Sequence, residues 1–225
     1  MNAEKNKLIL SLAICIFSET SFSQLRISAT TDISLQRNFK KQQEFWAFGQ
    51  NVIVDFHLTP KDGVYLLFCY YSPEKKFNPM LATAKSIITN PQQISFRNRA
   101  KIQLKQFSAG WKYYLKGRND AEEGWSLYSI TGFGIIFGKA TNNYSINIDT
   151  SLYNIPERPV NGEGHFKRLT LDLGLGFEIP LRGEVYFYSE AKTWIPTTEY
   201  PSKYLFVNNN APFTAMICAG FRILF

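Results

Sequence analysis

The stretch Phe213-Thr-Ala-Met-Ile-Cys-Ala-Gly-Phe-Arg-Ile-Leu-Phe225 decides the fold. Every second side chain in it is apolar, whereas the residues between them are mixed and include Arg222. Side chains alternate between the two faces of a β-strand, so this pattern indicates a strand with one continuous apolar face. Such a strand is typical of a β-barrel whose outside contacts lipid.

Seven other segments alternate in a similar way and indicate further strands. The clearest one starts at Arg168, because apolar residues occupy each odd position after it as far as Ile179. In the fourth segment the apolar residues change from even to odd positions between Lys105 and Phe107, which predicts a β-bulge there. The third segment is apolar on both sides, and its faces stay unassigned. The seven segments span residues 25–37, 48–59, 64–72, 101–113, 125–139, 168–179 and 184–194.

The connections between these strands alternate in length. Those after strands 1, 3, 5 and 7 are long and include predicted loops at residues 74–98 and 141–165, whereas those after strands 2, 4 and 6 are short. Barrels of bacterial outer membranes have long outer loops and short periplasmic turns. We therefore predict an all-β fold, an eight-stranded antiparallel up-and-down transmembrane β-barrel with both termini on the periplasmic side. Strand 1 must pair with strand 8, because lipid offers no hydrogen bonds to an open edge.

The N-terminal residues have the layout of a secretory signal peptide. A short polar segment with Lys5 and Lys7 precedes an apolar run from Leu8 to Phe17, and Ser21-Phe22-Ser23 supplies small residues before a cleavage site. The apolar run is shorter than the roughly 20 residues that a transmembrane helix needs. The chain is therefore predicted to divide into a signal peptide at residues 1–23 and an outer-membrane barrel domain at residues 24–225.

The composition agrees with a membrane barrel. The mean hydropathy of −0.18 is slightly polar, as expected when half of each strand faces a polar interior.

Cys69 and Cys218 fall on strands that are not neighbours, so we expect free thiols and neither a metal nor a cofactor. Nucleic acid is not an expected partner of an exported chain, despite the net charge of +7. A soluble lipocalin-like barrel is the alternative fold, and it would turn its apolar residues inward.

Three stretches carry a resemblance to a known class of proteins: Ser21-Phe-Ser-Gln24, Leu171-Asp-Leu-Gly-Leu-Gly-Phe177 and Ala219-Gly-Phe-Arg-Ile-Leu-Phe225. In these the chain resembles the small outer-membrane barrels of the OmpA and OmpX type, and most of all the PorT-like barrels of Bacteroidota. The resemblance implies a fold and a membrane but no catalytic residue. It also implies that the assembly machinery for outer-membrane barrels recognises the terminal aromatic strand, with Phe221 and Phe225 as the candidate signal.

Charged residues of both signs fall on the predicted inner face. The interior of an eight-stranded barrel is just wide enough for side chains to fill, and buried charges must be paired. We therefore predict a lumen closed by ion pairs. A narrow channel for small solutes, ions or protons is the alternative, because ionisable groups within a membrane often have functional roles. The predicted lumen network consists of Asp32, Asp55, Lys101, Lys105, Arg168, Asp172, Glu178, Glu190, Lys192 and Arg222.

An enzyme that modifies lipid A is a further alternative. Acyl transfer or hydrolysis needs a nucleophile, a histidine base and a carboxylate close together. The chain offers only His57, which shares a face with Asp55, and His165, which lies near Glu163. Neither histidine lies in a hydrolase signature. We therefore predict a structural, surface-interaction or envelope-assembly role without catalysis.

The segment from residue 74 to residue 105 is strongly basic, and Glu74 is its single acidic residue. If its outer part lies at the membrane surface, it meets the phosphates of lipopolysaccharide. The other interpretation is a solvated loop without a partner, or strands that extend beyond the membrane. Besides outer-membrane lipid, an unknown surface or secretion-system protein is an expected partner, and the barrel itself is expected to be a monomer. The candidates for lipopolysaccharide contact are Lys75, Lys76, Lys85, Arg97 and Arg99.

Overall fold

A computed structural model describes residues 25–39, 45–157, 159–198, 204 and 214–225. Eight of the strands that they form close into one antiparallel up-and-down barrel, so the predicted fold class is confirmed. The predicted signal peptide lies outside the described residues. Within the described part of the chain, no helix is long and apolar enough to cross a membrane. The strands are β1 (Arg26–Asn38), β2 (Phe45–His57), β3 (Asp62–Ala84), β4 (Gln93–Lys116), β5 (Ser126–Tyr144), β6 (Tyr153–Asn154), β7 (Gly162–Arg182), β8 (Val185–Pro196) and β9 (Thr214–Leu224).

The barrel closes between its first and last strands, as predicted. β1 pairs with β9 from Ser28 opposite Leu224 to Asn38 opposite Thr214. The other neighbours in the ring follow the order of the chain, and β5 pairs directly with β7. The two-residue strand β6 pairs with the end of β3, outside the ring. Closure gives the backbone groups of β1 and β9 the partners that an open sheet edge would lack.

The two surfaces of the barrel wall have opposite chemistry. Outward residues are mostly apolar and exposed, for example Ile33 at 70% and Phe133 at 71%. Inward residues include charged side chains that are fully buried, such as Arg222 at 0% exposure. Soluble proteins show the reverse distribution, with charged residues outside. We call the outward apolar residues, which surround the barrel, the apolar belt.

The loop predicted at 74–98 is largely wrong and the one predicted at 141–165 is shorter than predicted, because the strands on either side of them are longer than predicted. β3 and β4 continue through most of residues 74–98 as a hairpin that turns at residues 85–92. Similarly, the loop predicted at 141–165 is shortened at both ends, since β5 continues to Tyr144 and β7 begins at Gly162. Many outward residues of these extensions are polar, so the sequence lacks the apolar alternation that indicates a strand there.

The extended hairpin has a small apolar core of its own. Met80, Phe96, Ile148 and Tyr153 are buried in it, together with Ala82. The Tyr153 hydroxyl donates a 3.0 Å hydrogen bond to the carbonyl of Pro91 and ties the two parts together. A lone hairpin is marginally stable, so burial against a second segment explains why this one is regular. We call residues 77–98 and 145–157 the outer lobe.

A β-bulge that reverses the facing of a strand lies on β3 and not, as predicted, between Lys105 and Phe107 of β4. The register shifts between Tyr71 and Glu74 of β3, whereas the faces of β4 alternate without interruption from Gln93 to Tyr114. The register of β4 with β5 shifts only near the end of the strand, between Tyr114 and Lys116. A bulge inserts one extra residue and reverses the facing of the strand that contains it. The prediction that Lys101 and Lys105 point into the lumen is therefore wrong. Without a bulge between them and Phe107, they lie on the same outward face of β4 as Phe107.

Candidate functional site

Four charged residues meet inside the barrel near the end with short turns. Asp55, Lys112, Glu178 and Arg222 lie on β2, β4, β7 and β9, so alternate strands of the ring contribute one each. Lys112 Nζ lies 2.9 Å from Glu178 Oε1 and 3.6 Å from Asp55 Oδ2. Arg222 Nη2 lies 3.1 Å from Glu178 Oε2. Glu178 thus serves two cations at once. We call these four residues the ring cluster.

Neutral groups complete the ring cluster. The Tyr114 hydroxyl donates to Glu178 Oε2 at 2.9 Å, and Arg222 Nη2 donates to the carbonyl of Asn119 at 2.7 Å. The four charged residues are at most 3% exposed. Burial of this kind is tolerated only when the charges are paired and their remaining hydrogen-bonding positions are used. All four charges of the ring cluster are paired and most of their hydrogen-bonding positions are used, with Nη1 of Arg222 as the exception among the described atoms, and the cluster fills its level of the lumen.

A second group of charges lies further along the lumen. The Tyr188 hydroxyl donates to Asp32 Oδ2 at 2.5 Å, and the Tyr128 hydroxyl donates to Glu190 Oε1 at 2.6 Å. The ammonium of Lys192 forms an ion pair with Glu190. These hydroxyl bonds join β8 to β1 and β5 to β8, which are not neighbours in the ring. Each of these bonds therefore spans one intervening strand, β9 or β7, on the inner side of the barrel.

Asp172 and Arg168 are also buried inside the barrel. Asp172 Oδ2 accepts a 2.8 Å hydrogen bond from Gln106 Nε2 of β4. The guanidinium carbon of Arg168 lies 5.3 Å from the centre of the Phe166 ring. Both side chains thus contact polar or aromatic groups inside the barrel, as the other inward charges do.

An aromatic contact joins opposite walls. Tyr71 of β3 and Trp194 of β8 meet edge to face, with ring centroids 5.6 Å apart. β3 and β8 face each other across the ring of eight strands. Tyr71 is also hydrogen-bonded to Ser34 of β1. Both rings are fully buried, so side chains fill the barrel at this level too, as expected for its small diameter.

Lys101 and Lys105 are the predicted lumen residues that the structure places elsewhere. Lys105 Nζ lies 6.0 Å from the ring centre of Tyr70, on the outer wall. Lys112 was missed, although its place between the outward Trp111 and Tyr113 was a sufficient signal for an inward residue. The inward tyrosines, Tyr114, Tyr128 and Tyr188, are also absent from the predicted lumen network, which contained only charged residues.

The histidines do not form a recognisable catalytic site. His57 Nε2 lies 2.9 Å from Ser28 Oγ, which in turn donates to Asp55 Oδ2 at 3.1 Å. The carboxylate thus bonds the serine, whereas an acyl-transfer triad needs it on the imidazole. His165 is exposed on the outer wall. Among the described residues, no group of three or more histidines, cysteines and acids could hold a metal ion.

The remaining predicted residues lie on the walls and beyond them. Phe221 and Phe225 are exposed on the outward side of the terminal strand. Cys69 and Cys218 are free, buried thiols on strands that do not pair with each other. The lipopolysaccharide candidates do not form one surface: Lys75, Arg97 and Arg99 face outward, Lys76 is half-buried on the inner side of the hairpin, and Lys85 is exposed where the hairpin turns.

Comparison with known proteins identifies the fold. No protein family matches the chain, and no curated protein matches it. Solved structures do match. Neisserial surface protein A superposes with a TM-score of 0.51 at 9% identity, over 88% of this chain and 96% of that one. A major outer membrane protein of Thermus thermophilus gives 0.51 at 11% identity, over 88% and 99%. The fold is that of a small outer-membrane β-barrel.

Identities this low establish the fold alone, so the role of this small barrel must be argued from its own residues. The more specific resemblance to PorT-like proteins of Bacteroidota stays a prediction. What the residues of this chain offer is a filled lumen, an apolar belt and the outer lobe.

Proposed function

We propose that this chain is an integral protein of the bacterial outer membrane whose closed lumen excludes transport, and that it acts in a structural, surface-interaction or envelope-assembly role. The observation that carries the proposal is the inverted distribution of side chains. An exposed apolar belt surrounds an interior of buried and paired charges. Exposure of apolar surface to water is unfavourable by about 25 cal/mol per Å², and lipid acyl chains would remove that penalty.

The interior supports a passive barrel over the two alternatives. The ring cluster and the contact between Tyr71 and Trp194 cross the lumen at two separate levels, which argues against a narrow channel. His57 has no carboxylate on its imidazole in the described contacts, which argues against lipid A modification. Function then falls to the outer surface and the connections, as is usual for proteins with a rigid scaffold.

We assign the end with short turns to the periplasm and the outer lobe to the cell surface. Turns at 58–61 and 183–184 are short and the third connection at this end spans 117–125, whereas the opposite end carries the outer lobe and the two longest connections, 145–161 and 197–213. Outer-membrane barrels have this asymmetry. In this orientation a signal peptide directs export, and the assembly machinery recognises the outward face of β9 with Phe221 and Phe225. The outer lobe is placed to contact a surface or secretion-system partner of a monomeric barrel.

Cell fractionation combined with gel migration tests this proposal. The full chain should be recovered in the outer-membrane fraction. In mild detergent, unboiled protein should migrate differently from boiled protein, because a closed barrel keeps its compact shape until it is heated. Recovery in the soluble periplasm, or identical migration before and after boiling, would contradict the proposal.

A pair of variants makes the test specific for lipid contact. Phe133→Arg places a charge in the apolar belt and should destabilise the inserted barrel by about 2–4 kcal/mol. Ile87→Arg changes a residue that is even more exposed, at the tip of the outer lobe, and should leave insertion unchanged. If both variants behave alike, the belt does not contact lipid.

A further inference from the structure

Basic side chains cluster on the outer wall of β3, β4, β5 and β7, directly beyond the apolar belt. In the first row of paired residues, Tyr70 lies opposite Lys105, Lys105 opposite Phe137 and Phe137 opposite Lys167. More cations follow on the same face, farther from the belt. We call this cluster the basic wall: Lys75, Arg97, Arg99, Lys101, Lys105, Lys139 and Lys167.

Aromatic rings accompany the cations of the basic wall. Lys105 Nζ lies 6.0 Å from the Tyr70 ring centre, and Lys167 Nζ lies 5.6 Å from that of Phe137. Cations at such distances from a ring face gain electrostatic stabilisation, and lysine stems can lie along apolar surface while the ammonium reaches a polar layer. This arrangement is the one expected at the boundary between acyl chains and headgroups.

Among the side chains that the structure describes, carboxylates do not balance the basic wall. Among the described outward side chains of these rows, Glu163 is the single acid, and its Oε2 pairs with Lys139 Nζ at 2.8 Å. The opposite end of the barrel differs, because Arg26 and Arg118 both pair there with Asp120. Neighbouring cations without counter-charges create a positive potential that attracts anions. The unbalanced charge is therefore a local property of one rim.

We propose that the basic wall binds the phosphate groups of lipid A in the outer leaflet. The inference rests on the proposed function, because the wall lies at headgroup height only if the belt lies in the membrane. Lys167 is two residues from the outward Leu169, and Lys105 is two residues from the outward Phe107. A lipid whose chains lie along this part of the belt thus places its headgroup beside both lysines. Adjacent cations favour a ligand with more than one phosphate, through charge-assisted hydrogen bonds.

Native mass spectrometry of the folded barrel in detergent micelles tests the inference, with purified lipid A as the probe. Wild type should retain lipid A, and Lys105→Gln/Lys167→Gln should weaken its binding by about tenfold or more, as expected for the loss of charge-assisted contacts. The matched control is Arg37→Gln/Lys116→Gln. It also removes two cations that lie over aromatic rings, Trp46 and Trp125, but away from the basic wall. This control should bind like wild type.

A second variant, Arg99→Gln/Lys101→Gln, should also weaken binding, since it removes cations farther from the belt. Phosphatidylglycerol and lipid A without its phosphates serve as comparison lipids and should bind more weakly. Equal binding of either comparison lipid, unchanged binding in both basic-wall variants, or an equal loss in the control would overturn the inference. Identical gel migration before and after boiling would refute the proposed function. A barrel that is heat-modifiable but does not bind lipid A would refute this inference alone.

Discussion

At the scale of single residues, Glu178 is the side chain on which the ring cluster depends most. Its two oxygens accept hydrogen bonds from Lys112, Tyr114 and Arg222. Without its charge, both cations would be left with Asp55, whose nearest oxygen is 3.6 Å from Lys112 Nζ. A complete buried ion pair adds little net stability, but the loss of one partner leaves an uncompensated charge in a low-dielectric interior.

We expect Glu178→Gln to lower the free energy of unfolding by about 3–5 kcal/mol, measured by urea titration of the barrel in phospholipid vesicles. The matched control is Glu163→Gln, which breaks the pair with Lys139 on the outside of the wall. It should change stability little, because solvent already screens that pair. A similar effect of both substitutions would show that the ring cluster is not shielded from water.

At the scale of elements, alternation within one strand predicted most of the strands and their faces but misplaced the bulge. Ile102 and Leu104 occupy even positions, whereas Phe107 and the apolar residues after it occupy odd positions. In the sequence this change looks like a strand that reverses its two faces. In the structure Ile102 and Leu104 both pack inside, in the core that includes Tyr71 and Phe166. The lumen is apolar at that level. The sequence of one strand does not show whether its apolar residues face lipid or an apolar part of the lumen.

The sequences of the individual strands also do not predict which lumen charges pair with each other. Alternation was enough to place Asp55, Glu178 and Arg222 on the inner face. Their contacts with each other and with Lys112 arise only after the sheet curves and closes, because the partners lie on strands that do not neighbour each other. Register and curvature are properties of the whole ring, so the sequence predicted the members of the site better than its geometry.

The outer lobe should unfold locally without opening the barrel. Phe96 is buried with Ile148 and Tyr153 and lies 5.0 Å from Tyr144, ring centre to ring centre. Phe96→Ala should remove about 3–5 kcal/mol of packing from the lobe and accelerate proteolysis between residues 145 and 157. Heat-modifiable migration should stay unchanged, because regions with separate cores open independently.

Phe77→Ala is the control for the outer lobe, since it removes an aromatic ring from the exposed face of the same hairpin. Its proteolysis should match that of wild type. If Phe96→Ala instead abolishes heat-modifiable migration, the outer lobe and the barrel unfold as one cooperative unit. The two apolar cores then do not unfold independently.

At the scale of the whole molecule, the lumen has barriers in series. The ring cluster lies near the short-turn end, and the contact between Tyr71 and Trp194 lies at a separate level of the same interior. An ion that crosses the barrel must pass both, so the removal of one barrier leaves the other in place. We therefore expect neither wild type nor Trp194→Ala to form steady channels in planar lipid bilayers, although Trp194→Ala removes the contact between opposite walls. Steady, large conductance from wild type would show that the buried side chains line a pore rather than fill it, and steady conductance from Trp194→Ala alone would show that the ring cluster does not block ions.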